Sequence, residues 1–82
     1  MDRAEFFNMA QKATVYTGEF KDLAKPIDET LLVVFKDIKY YPRSIEVGYE
    51  KSGKVKNTAI LHDLKQNALV YAELEKVVKY ES

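Results

Sequence analysis

IEVGYEKSGKVKNTAIL, from Ile45 to Leu61, is the stretch whose reading decides the fold. Ile45, Val47 and Tyr49 alternate with Glu46, Gly48 and Glu50. After Lys51-Ser52-Gly53 the alternation resumes with Val55, Asn57, Ala59 and Leu61. A period of two is that of a strand with one dry face, and two such runs flanking a glycine-bearing loop make a hairpin. A three-residue loop with Gly53 in the left-handed conformation pairs Tyr49 with Val55 and Ile45 with Ala59. A two-residue turn would set Tyr49 against Lys56, apolar against charged, so the first register is preferred.

Working towards the N-terminus, Leu31 to Phe35 is β-branched and aromatic, which reads as a buried strand that carries on through Ile38 to Tyr41. Pro42 has no N–H for a sheet ladder, so the strand is expected to end there or to lie on an edge, with the chain turning into the next strand. At the start of the chain, Asp2 followed by Glu5 fits a helix cap. Phe6, Met9 or Ala10, and Ala13 then recur at helical steps, which predicts a helix over about residues 2–16. Gly18 is the expected stop. Glu19 to Lys25 adds a helical turn with Phe20 and Leu23 inward, broken by Pro26.

The last third reads two ways. As a helix, Leu61, Leu64, Ala68, Tyr71, Leu74 and Val78 fall at steps of three and four. As strands, Ala59 to Leu64 runs into a turn at Lys65-Gln66-Asn67, Leu69 to Ala72 returns, Glu73 to Lys76 turns, and Val77 to Tyr80 forms a last strand. Asp63 and Asn67 bracket a turn well, and Val70, Tyr71, Val77, Val78 and Tyr80 favour strand. The strand reading is preferred, with a helix over residues 62–79 as the alternative. The resulting fold class is α+β: one domain over residues 1–82, an N-terminal helix packed on an antiparallel meander of four to five strands. By analogy with other short, twisted sheets, this one is expected to curl towards an SH3-like or OB-like barrel.

Composition narrows the function classes. The 82 residues are 46% hydrophobic and 32% charged, with no cysteine, so neither disulfides nor thiolate metal sites are available. The longest apolar run, Leu31 to Phe35, is far below the about 20 residues of a membrane helix, and the polar start shows no secretory leader. The expectation is a cytoplasmic protein with no membrane partner. Net charge is zero, but residues 31–60 carry six cations against three anions. That is weaker than the bias of a dedicated nucleic-acid module.

One cluster stands out as a candidate binding site. Lys36, Lys39, Tyr40, Tyr41 and Arg43 interleave cations with rings, the two parts that single-stranded nucleic acid needs and that protein interfaces also favour. Strand alternation turns one of the two tyrosines inward and leaves the other at the surface. The lysines of the hairpin tip, Lys51, Lys54 and Lys56, extend the same basic region. The plainer reading is a core tyrosine beside solubilising lysines on an edge, and Asp37, Glu46 and Glu50 weaken the local field. His62 beside Asp63 is the only hint of catalysis. Neighbours in a strand point to opposite faces, so a surface histidine and a turn-initiating aspartate is the better account. No catalytic set, cofactor motif or metal-ligand set can be assembled. Phe7 lies about 100° from Phe6 around the helix, and either covers a sheet edge or offers a second apolar strip.

These features point to a small non-enzymatic accessory module working by protein–protein contact, of the kind that bacterial mobile elements carry. The alternatives are a barrel binding single-stranded DNA or RNA through the same patch, and a structural homodimer.

Overall fold

The computed structural model describes residues 1–17, 28–63 and 65–81. Helix α1 spans Arg3–Thr17. Asp2 caps it, its Oδ1 accepting from the Ala4 N–H at 2.6 Å, which satisfies a donor that the first turn leaves open. Phe6, Met9, Ala10 and Ala13 are buried, the one-sided face that their spacing predicted. Gly18 as a stop, the turn over Glu19 to Lys25 and Pro26 lie outside the described residues.

A short 3-10 turn, Glu29–Leu31, leads into the sheet. The carboxylate of Asp28 accepts from both the N–H and the Oγ1 of Thr30 at its start. Five strands follow: β1 Val33–Phe35, β2 Ile38–Tyr49, β3 Val55–Asp63, β4 Ala68–Glu73 and β5 Val78–Lys79. All pairings are antiparallel, in the spatial order β4-β3-β2-β1-β5. The first four strands form a meander, and β5 returns to the far side of β1. The sheet is open, with β4 and β5 as its edges, so the expected closure into a barrel is not met.

The central hairpin has the predicted register. Tyr49 pairs with Val55 and Ile45 with Ala59. The Glu50 N–H donates to the Lys54 carbonyl across a three-residue loop, and Gly53 has φ of 87°. The last third is strand: Asp63 Oδ1 accepts from the Lys65 and Gln66 N–H groups, Asn67 sits at φ 52°, and β4 follows. A second 3-10 turn, Leu74–Lys76, replaces the expected turn before β5. The helical alternative for 62–79 is excluded.

One expectation fails upstream, and one holds in its second form. Leu31 to Tyr41 is not one strand. It folds back at Lys36-Asp37, where φ values of 51° and 64° make a type I′ two-residue turn closed by Phe35 and Ile38. At Pro42 the strand does not end, and the residue instead lies on a local edge, as the other form of the expectation has it. β2 runs on through it to Tyr49, because β1 already stops at Val33 opposite Tyr40, leaving Pro42 with a ladder on the β3 side alone. Arg43 is the extra residue of a bulge between Pro42 and Ser44. The bulge has a purpose that the residues explain. Tyr40 and Pro42 share the helix side of β2, and Ile45, Val47 and Tyr49 must share it too, although they are out of phase by one. A single unpaired residue restores the phase.

The core lies between α1 and the sheet. Phe6, Met9 and Ala10 pack with Val33, Tyr40, Ala59, Leu61, Ala72, Leu74 and Val77. A second cluster joins Ala13, Leu31, Leu32 and Tyr41, with Tyr80 against it.

Candidate functional site

The five predicted site residues do not assemble into an exposed ring-and-cation surface. Tyr40 is 5% exposed and Tyr41 1% exposed. Their rings enter two different clusters, and both clusters are closed. Tyr40 enters the helix-side core, while Tyr41 enters the second cluster, with its hydroxyl accepting from the Asp28 N–H at 2.9 Å. The expectation that one ring stays outside assumed a sheet with one wet face, whereas Ala13, Leu31 and Leu32 enclose the second ring.

The three cations are exposed but engaged. Lys36 sits at the β1–β2 turn with Nζ 5.3 Å from the Phe35 ring centre. Lys39 Nζ lies 4.4 Å over the ring of Tyr80. Arg43, on the bulge, brings a guanidinium nitrogen to 3.4 Å from Nδ1 of His62. His62 is not a surface residue, being 5% exposed, and its Nε2 lies 2.7 Å from Asn67 Oδ1. With Nε2–H donating to that amide oxygen, Nδ1 is the acceptor that faces Arg43. The chain Arg43–His62–Asn67 ties the bulge of β2 to the β3–β4 turn. Asp63 is spent on the turn, so His62 and Asp63 do not act together. Among the described residues no three His, Asp or Glu side chains gather as metal ligands.

The surface carries a different group. On the outer half of the β2–β3 hairpin, Val47, Tyr49 and Val55 share the helix side, with Tyr49 directly opposite Val55. None is covered, and Tyr49 is 76% exposed. The cause is a mismatch of length. A helix of 15 residues is about 22 Å long, whereas a strand of 12 residues spans about 40 Å, so α1 cannot roof β2 to its end. The longest dimension of the molecule, 47 Å against 24 and 21 Å, reflects the projection. The loop and first strand residues that follow, Lys51 to Lys56, hold three lysines and no acid.

An open cavity of about 220 Å³ lies at the foot of the hairpin, beside the start of α1. Arg3, Lys54 and Lys56 line it together with Glu50, Glu73 and Glu75, so neither sign of charge prevails. Residues that sequence reading assigned to the interior thus supply the most exposed apolar group. Alternation assigned them a face, but no local pattern in the sequence marks where the helix stops covering that face. No protein family, curated protein or solved structure matches this chain.

Proposed function

We propose that this protein is a non-enzymatic binding module of the cytoplasm that works through protein–protein contact, made by the projecting half of the β2–β3 hairpin. The observation that carries the reading is the exposed apolar row of Val47, Tyr49 and Val55 on one face of that hairpin. Tyrosine supplies large contact area at low entropic cost, and it is enriched at interface centres. Lys51, Lys54 and Lys56 lie beside the row, with Glu50, Glu73 and Glu75 next to the last two, so the partner surface is expected to have an apolar centre and a rim of mixed charge. The tyrosine–arginine patch at Tyr40, Tyr41 and Arg43 loses its support as the contact, because its rings are interior.

The test places a photo-crosslinking benzoylphenylalanine at Tyr49 in the native cells, with the same group at Lys65 as control. The expected result is an adduct with another protein at position 49 only, lost when Val47 and Val55 are changed to Ser. An adduct with RNA or DNA, or no adduct specific to position 49, overturns the reading.

A further inference from the structure

The two edges of the sheet are built differently. β5 has two paired residues and carries Lys79, and short, charged edges resist pairing with another chain. β4 has six residues, and among the described residues nothing pairs with its outer side. Its segment Ala68-Leu69-Val70-Tyr71-Ala72 contains no charge, proline or glycine, and its register with β3 runs without a bulge. Among the described residues, none of the usual protections of an edge falls on that segment.

We infer that the outer edge of β4 is a self-association site, occupied by β4 of a second copy of this chain running antiparallel about a two-fold axis at Val70. The sequence of the strand is its own complement in that register. Val70 meets its own counterpart, and Ala68 meets Ala72 of the second copy, both on the helix side of the sheet. Leu69 meets Tyr71 of the second copy on the open face, where Leu69 is exposed and Tyr71 is 58% exposed. Directly opposed residues share a face, so both faces of the seam are wholly apolar. Glu73, the last residue of β4, falls opposite the uncharged Asn67, so no like charges meet along the strand. Centring the axis on Tyr71 would set Leu69 against Glu73, and centring it on Leu69 would set Asn67 against Tyr71. Only the Val70 register pairs every apolar residue with another. The seam is remote in sequence from the hairpin row, and the inference stands apart from the proposed partner contact.

The register makes a charge-swap experiment decisive. Sedimentation velocity at micromolar concentrations is expected to give twice the 9.5 kDa of the chain. The double variant L69K/Y71K opposes like charges at both Leu69–Tyr71 contacts and is expected to sediment as a monomer. The double variant L69K/Y71E opposes unlike charges at the same two places and is expected to recover the dimer, with a salt dependence that the unaltered protein lacks. Both side chains are exposed, so the fold should survive. Hydrogen exchange of the unaltered protein, slower at the amides of residues 69–72 as concentration rises, tests the seam without any variant. A monomer at all concentrations, a ring or larger assembly, or the same state for both double variants overturns the inference.

Discussion

Tyr41 and Tyr49 are the same residue type in one strand, and burial gives them opposite roles. Tyr41 is enclosed and its hydroxyl serves the Asp28 N–H, so Tyr41→Phe leaves that donor without its acceptor. The expected cost is about 1–2 kcal/mol in urea unfolding. Tyr49→Ser touches nothing in the core and is expected to change stability by less than about 0.5 kcal/mol. Lys36 shows a different local conflict. A lysine held at φ 51° carries left-handed strain of about 1 kcal/mol, while its contact with the Phe35 ring returns about 0.5 kcal/mol at an exposed site. Strain wins. Replacing Lys36-Asp37 by Asn-Gly, the preferred type I′ pair, is expected to raise the melting temperature by about 5 °C in calorimetry.

At the scale of elements, the hairpin over residues 45–61 and the turns at Asp63–Asn67 and before β5 were legible in the sequence because each rests on local chemistry. Gly53 accepts positive φ, Asp63 accepts turn N–H groups, and alternation assigns faces. The turn at Lys36-Asp37 was not legible, because neither residue is a strong type I′ former, and the pairing of Phe35 with Ile38 holds the turn instead. The bulge was visible only as an interruption. Tyr40 and Pro42 are one step out of phase with Ile45, Val47 and Tyr49, which reads equally as two strands or as one strand with an extra residue. That account separates side chain from backbone at Arg43. Arg43→Ala removes one long contact to His62 and is expected to cost about 1 kcal/mol or less. Deleting Arg43 moves Ile45, Val47 and Tyr49 to the other face of β2 and is expected to abolish the cooperative unfolding transition, as read by far-UV circular dichroism.

For the whole molecule, a short helix on a long strand sets the design. The roofed half of the sheet forms the core, and the unroofed half presents apolar side chains that the same alternation placed on the same side. The burial of Tyr40 and Tyr41 has a tertiary cause, since no local pattern says how far along β2 the roof extends, or that Ala13, Leu31 and Leu32 enclose Tyr41. Which tyrosines meet solvent therefore follows from the reach of the roof. Photochemically induced dynamic nuclear polarisation, with a soluble dye and resonance assignments, reads this directly for each ring in one experiment. Strong polarisation of Tyr49 with none on Tyr40 or Tyr41 is the predicted result. Polarised Tyr40 or Tyr41, or a silent Tyr49, would contradict it.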